Sequence, residues 1–264
     1  MQILVVNDDG IASEGLWILG AALRDAGLGT VTIVAPETEQ SGTSMALPFA
    51  RDLTLREVTA PGPQFAGMAA YAFSGTPVGC VLAGVLAGVA PRPDLVVAGI
   101  NRGLNTGTNV LLSGTVGAAM LAALWGLPAL AVSQMFIGED PMPWDCAAEA
   151  AVKVVPLLEA TRGNGPIVLN LNVPHLPSLS ETRGFRQTVL SNFFYGDVVE
   201  VDLAAQADDE GRRKLGLRFV RERMPVFAAN SDDGAVRDGY VSLTPLTPTG
   251  VANLDLGAAV AALR

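Results

Sequence analysis

A short apolar run over residues 2–6 stops at Asn7-Asp8-Asp9-Gly10. Two adjacent carboxylates at the end of a buried strand repel one another and lose hydration, and a divalent cation offsets both costs. The same residues are compatible with an ordinary capped turn, because Asp-Gly is common turn chemistry. Two other loops carry neutral hard donors. Ser41-Gly42-Thr43-Ser44 offers hydroxyls, and Asn101, directly behind Gly99-Ile100, offers an amide oxygen. Both suit Mg2+ or Mn2+ once two carboxylates balance the charge. Ser113-Gly114-Thr115 opens a helical segment, where free N–H groups and the helix dipole favour an anion such as a phosphoryl group. Taken alone, Ser113 there is also a simple N-cap.

Composition narrows what such residues can bind. The chain of 264 residues carries 17 basic and 26 acidic side chains, a net charge of −9, and is 50% hydrophobic. No basic run exceeds Arg212-Arg213-Lys214. This argues against a nucleic-acid polymer as partner, since affinity for a phosphate backbone comes from clustered cations. Phosphate must then be bound through backbone N–H groups or a metal. A chain this long buries roughly three quarters of its unfolded surface, enough for a large core without disulfides. Cys80 and Cys146 lie in apolar helical contexts and read as buried, reduced thiols, and residues 1–10 lack the basic n-region of a signal peptide. Both point to a cytoplasmic location.

The elements that must hold these residues can be read in order. After the 2–6 strand, Ser13 offers an N-cap for a helix with Leu16, Leu19 and Leu23 on one face, closed by Gly27. Residues 30–35 form a strand, Thr76 and Pro77 cap a Gly/Ala-rich helix reaching about Val89, and residues 94–98 form another buried strand. Residues 99–113 read as a long loop, 114–125 as helix, 128–133 as strand and 167–171 as a further strand. Trp144, Ala148, Ala151, Val155 and Leu158 mark one helical face, which Pro156 kinks or restarts. The uncharged stretch 103–138 is long enough to span a bilayer, but Gly126 and Pro128 break it into helix, turn and buried strand, so no membrane span is expected. Alternating strands and helices specify a parallel sheet covered on both faces. From Arg183 onward the segments are short, alternating and free of strong helix, and read as β-hairpin extensions that pack on the core or reach another subunit.

Several chemistries are missing. The single histidine, His175, reads as a surface or packing residue. No Gly-Lys-Ser/Thr occurs, the Gly27/Gly29 and Gly163/Gly165 pairs complete no dinucleotide fingerprint, and Gly42-Thr43-Ser44-Met45-Ala46 fails the nucleophile-elbow pattern.

In order along the chain stand Asn7-Asp8-Asp9-Gly10, Ser41-Gly42-x-Ser44, Gly75-Thr76-Pro77, Gly99-Ile100-Asn101-x-Gly103-x-Asn105-x-Gly107 and Ser113-Gly114-Thr115-Val116. Asn170-Leu171-Asn172-Val173-Pro174 and Gly239-Tyr240-Val241-Ser242-Leu243-Thr244-Pro245 follow. This series, running from residue 1 to about 245, resembles the SurE family of survival-protein 5'-nucleotidases. The resemblance implies an α/β, Rossmann-like, mostly parallel sheet with helices on both faces. Residues 1–182 would be the catalytic core, and 183–264 a β-hairpin extension and C-terminal segment exchanged between subunits of a homodimer or homotetramer. It implies a phosphatase that hydrolyses nucleoside 5'-monophosphates, and leaves 3'-nucleotides and short polyphosphate open as further substrates. One Mg2+ or Mn2+ per subunit would be held by Asp8, Asp9, Ser41 and Asn101. Asp8 and Asp9 would be catalytic, and Ser113, Gly114, Thr115 and Asn105 would contact substrate. Gly79, Leu112 and Leu121 depart from the family's usual Asp, Tyr and Glu, which weakens any transfer of substrate-pocket contacts.

Two rivals stay open. A haloacid-dehalogenase route requires two aspartates separated by one residue, which Asp8-Asp9-Gly10 does not supply. A non-catalytic nucleotide-binding module on the same fold is the other, because fold alone does not fix function.

Overall fold

Strands buried on both faces need apolar side chains at every position rather than at alternate ones. Apolar runs of this kind build β1 (Gln2–Val6), β2 (Thr30–Pro36) and most of β5 (Leu95–Arg102) and β6 (Ala129–Gln134), while the equally buried β7 (Val168–Val173) sets Asn170 and Asn172 between its apolar residues. The computed structural model describes residues 1–48, 52–204 and 206–249. The remaining strands are β3 (Leu55–Glu57), β4 (Ala69–Phe73), β8 (Phe185–Gln187), β9 (Val199–Leu203), β10 (Leu215–Phe219) and β11 (Val241–Leu246). Among the described residues nine strands form one sheet in the order β3-β4-β2-β1-β5-β6-β7-β11-β8. From β4 through β7 every pairing is parallel; β3 and β11 run antiparallel to their inner neighbours.

The helices are α1 (Glu14–Asp25), α2 (Pro77–Leu86), α3 (Gly114–Leu124), α4 (Trp144–Val154) and α5 (Asp232–Arg237). Leu16, Leu19 and Leu23 of α1 and Ala147, Ala151 and Val154 of α4 pack on the face that carries Ile3, Val5 and Leu171. Val78 and Val81 of α2 and Val116 and Ala119 of α3 pack on the other, with Leu4 and Val6. Each such buried Leu, Ile or Val contributes about 1.5–3 kcal/mol. Cys80 and Cys146 are both buried free thiols. Among the described residues no helix is long and apolar enough to cross a membrane.

Several features refine the sequence expectation or lay beyond it. The strand expected over 94–98 continues to Arg102: after a register shift, Asn101 pairs with Ser133 and Arg102 with Gln134. Gly99 permits this, since a β-carbon there would lie 2.4 Å from Val132 O. The helix α2 stops at Leu86, before a left-handed Gly88, rather than near Val89. The helix α5 lies in the region read as free of strong helix; its six residues are too short to show a period. The strands β3 and β4 fall outside the expected elements, because β3 is a short, exposed edge. Pro156 restarts α4 as a tighter 3-10 stretch over Val155–Thr161. The C-terminal region divides in two. β8 and β11 extend the main sheet, whereas β9 and β10 form a separate antiparallel ribbon. Residues 250–264 of the expected extension lie outside the described residues.

The strand order reverses beside β1, whose neighbours are β2 on one side and β5 on the other. Ligands of open α/β sheets bind beyond the carboxyl ends of strands at such a point. There β1 delivers Asp8 and Asp9, and β5 delivers Asn101.

Candidate active site

The turn after β1 is closed by Asn7, whose Nδ2 donates to Gly10 O at 2.9 Å and whose Oδ1 accepts from Gly10 N at 3.2 Å. This leaves the next two side chains to face the sheet's upper edge. Asp8 is 3% exposed. Its Oδ2 accepts the Thr115 N–H at 3.0 Å, and its Oδ1 accepts the Thr115 hydroxyl. Burial pushes its carboxyl above the ordinary 3.8, and the Thr115 hydrogen bonds oppose that rise. Gly114 makes the approach possible, since a β-carbon there would lie 3.0 Å from Asp8 Cβ and 3.1 Å from Asp8 Oδ2.

Asp9 Oδ2 accepts the Arg102 N–H at 3.2 Å. Burial, and next the negative charge of Asp8, push its carboxyl up to about 7. Glu39 adds to the repulsion on both aspartates. Among the described residues no ion pair reaches Asp8 or Asp9. The pair therefore sets two repelling carboxylates side by side, and the Arg102 charge offsets that repulsion only in part.

Two neutral oxygens follow on neighbouring loops. The Gln40 N–H donates to Asp8 O at 2.7 Å, which ties the loop that carries the exposed Ser41 to the turn after β1. Ser41 Oγ donates its proton to Glu39 Oε1 at 2.8 Å, leaving its lone pairs open. Asn101 Nδ2 donates to Gly103 O at 2.7 Å, so the amide is fixed by its nitrogen and its oxygen is left over. Among the described residues no group of three or more His, Cys, Asp and Glu gathers to hold a metal. A cation here would instead draw on two carboxylates, one hydroxyl and one amide, an all-oxygen set that fits Mg2+ or Mn2+.

The start of α3 does less for an anion than its sequence suggests. Ser113 Oγ accepts the Val116 N–H at 3.1 Å as an N-cap, and Thr115 N is already given to Asp8. Among the described residues the Gly114 N–H is the first-turn donor without a partner. Asn105 does not join the cluster. It is 8% exposed, its Nδ2 donates to Ser133 Oγ at 2.9 Å, and its backbone is held by Asn170 and Asn172. His175 is half-buried, with Nδ1 3.1 Å from Met135 O.

Three contributors were not visible in the sequence reading. Arg102 fixes Asp9 through its backbone, and Asp232 and Asp233, 0% and 2% exposed, bond the loop between Asn101 and Ser113. The signal for the aspartates was Ser231-Asp232-Asp233-Gly234, a helix start in which Ser231 Oγ accepts the Gly234 N–H at 3.1 Å. A cavity of about 470 Å³ lies elsewhere, among Ser191, Phe193, Arg223, Phe227 and Asn230, and none of the carboxylate cluster lines it.

Comparison with known proteins meets this geometry. The sequence pattern of the family described as "Survival protein SurE" matches residues 3–197. The chain belongs to the SurE family. A relative named 5'-nucleotidase SurE, from Synechococcus sp. (strain JA-3-3Ab), is 39% identical over 251 residues, spanning 94% of this chain and 92% of the relative. One named 5'/3'-nucleotidase SurE, from Photorhabdus laumondii subsp. laumondii, is 37% identical over 246 residues, spanning 93% and 89%. The crystal structure of the SurE protein from Aquifex aeolicus superposes with a TM-score of 0.77 at 29% identity, covering 100% of this chain and 99% of that one. The α/β architecture expected from the motif series is thus that of a solved SurE protein.

Proposed function

We propose that this SurE chain is a divalent-metal-dependent 5'-nucleotidase that hydrolyses nucleoside 5'-monophosphates to nucleoside and phosphate. The observation that carries the reading is the adjacent pair of buried Asp8 and half-buried Asp9 at the end of β1, which no ion pair among the described residues neutralises. Relatives over nearly the whole chain are named 5'-nucleotidases, and one is named a 5'/3'-nucleotidase, which extends the proposal to 3'-nucleotides.

Asp8, Asp9, Ser41 and Asn101 would hold one Mg2+ or Mn2+ per subunit. When bound, such an ion supplies positive charge to the phosphoryl oxygens and acidifies a water molecule. Thr115 orients Asp8 through two hydrogen bonds, which oppose the rise that burial imposes on its carboxyl. The Gly114 N–H, at the positive end of α3, donates to a phosphoryl oxygen. Asp9 Oδ1 has no donor among the described residues and takes a proton from the attacking water. That proton then passes to the leaving ester oxygen as its bond to phosphorus breaks, so nucleoside and inorganic phosphate leave with the charge balanced. The ribbon of β9 and β10 would join subunits of a dimer or tetramer.

The test is phosphate release from AMP and GMP with Mg2+ or Mn2+, and after chelation. Release that persists undiminished in chelator, or in an Asp8→Asn variant, would overturn the assignment. Recovery of a phosphorylated aspartate would favour the haloacid-dehalogenase route.

A further inference from the structure

Just beyond Asn101 the main chain is half-buried and carries no side chain at Gly103. Gly103 has φ +124°, a region that disfavours side chains. A β-carbon there would meet only the Phe136 ring, at 3.7 and 3.8 Å, and Asn101 Nδ2 at 3.8 Å. A strip of glycine backbone therefore runs between a proposed cation ligand and an aromatic ring.

That ring is exposed yet held in place. Phe136 is 43% exposed, and the Arg102 guanidinium carbon lies 4.7 Å from its centroid. Arg102 Nη2 donates to Gly138 O at 3.2 Å, which anchors the guanidinium over the turn that follows Phe136. The backbone N–H of the same Arg102 is the donor to Asp9 Oδ2. A single residue thus ties the ring to the carboxylate pair, and the stacked cation limits the ring's freedom to turn away.

We propose that Phe136 is the stacking platform for the nucleobase, with Gly103 the floor beneath the ribose and the phosphate at the Asn101 end. The inference rests on the nucleotidase reading and deepens it. A nucleoside monophosphate has a charged end and a flat π-face separated by one sugar, and this site has a metal-ligand end and an aromatic ring separated by one glycine. Stacking on an aromatic face tolerates every base. The substrate class it selects is nucleoside monophosphates in general, against phosphate esters that lack a base.

The experiment compares AMP with ribose 5-phosphate, which differs by the missing base, using Mn2+-loaded enzyme. The ratio of kcat/KM for AMP to that for ribose 5-phosphate is expected to fall roughly tenfold in Phe136→Leu, mainly through KM for AMP. Phe136→Trp, which keeps a stacking face, is expected to hold or raise the ratio. An unchanged ratio in Phe136→Leu overturns the inference, as does a lowered ratio in Phe136→Trp. Wild-type enzyme that hydrolyses both esters equally well overturns the inference and leaves the phosphatase reading standing. Wild-type enzyme that releases phosphate from neither overturns the nucleotidase reading itself, and the inference with it.

Discussion

Asp232 Oδ2 accepts the backbone N–H of Gly107 at 2.9 Å across 125 residues of sequence. Its Oδ1 accepts the N–H groups of Ser191 and Asp233, each at 2.9 Å. Asp233 completes the tether, accepting the Thr106 hydroxyl at 2.9 Å and the Ser191 hydroxyl at 2.6 Å. The loop between Asn101 and Ser113 is therefore pinned by α5, an element contributed by the C-terminal region. Asp232→Ala strands three buried N–H groups, and urea denaturation should record a loss of about 3 kcal/mol or more. Amide exchange at Thr106 and Gly107 should accelerate beyond that global loss.

The same carboxyl carries a pH signature. Burial, chiefly, holds Asp232 above the ordinary 3.8 despite its three donors. A raised folded value means that the native state binds the proton more tightly than the unfolded chain. Its contribution to stability is present below the unfolded value of 3.8 and is lost as pH rises through the folded one. Asp232→Asn cannot titrate there. The stability advantage of wild type over Asp232→Asn should therefore shrink as pH rises above the unfolded value of 3.8, and urea midpoints at stepwise higher pH measure it.

Metal loading should register in folding as well as in turnover. A ligand that binds only the native state stabilises it by mass action. Mn2+ should raise the melting temperature of wild type and do so much less in Asp9→Asn. In chelator near neutral pH the order should reverse, with Asp9→Asn melting higher, because the substitution removes the half-buried member of two adjacent like charges. A variant that melts lower than wild type in chelator would contradict the repulsion inferred between Asp8 and Asp9.

Gly114→Ala separates helix propensity from site geometry. In an exposed helix interior that change stabilises by about 1 kcal/mol. Here the added carbon would sit 3.0 Å from both Asp8 Cβ and Pro77 Cγ. Displacing Asp8 should raise the Mn2+ concentration needed for half-maximal activity by about tenfold or more, read from a metal titration of AMP hydrolysis.

How much of this was legible in the sequence depended on the range of the forces involved. β1, α1, α2 and α3 could be read because apolar runs and caps are local: Thr76 Oγ1 does accept the Gly79 N–H at 3.1 Å, and Ser113 Oγ that of Val116. The position of the carboxylate pair at the end of β1 was legible for the same reason, as polar residues directly after a buried strand. What escaped was set by tertiary pairing. Gly99-Ile100-Asn101-Arg102 reads as a loop, yet the neighbouring β6 draws it into the sheet through Ser133 and Gln134. The surroundings of Asn105 were not legible, because its partners Ser133, Asn170 and Asn172 lie 28 to 67 residues away. Thr115, expected to bind substrate, spends both its donors on Asp8.

The ribbon of β9 and β10 supplies the last prediction. Its register sets Leu217 opposite Val201 and Leu215 opposite Leu203, so the alternation of a strand places these side chains on one face. They remain 71%, 61%, 59% and 46% exposed respectively, and Phe219 on the same strand is 52% exposed. The intervening residues Glu200, Asp202 and Arg218 are charged, and Arg218 pairs with Glu200. One polar and one bare apolar face on an isolated two-stranded ribbon is the pattern of an interaction surface, since such a ribbon has little stability alone. Leu217→Glu, at the most exposed of these apolar positions, places a charge in the middle of that face. Sedimentation at micromolar concentration should show wild type as a dimer or larger assembly and Leu217→Glu shifted toward monomer. A wild type that sediments as a monomer would remove the ribbon's proposed role, whereas an unshifted Leu217→Glu oligomer would place the subunit contact elsewhere.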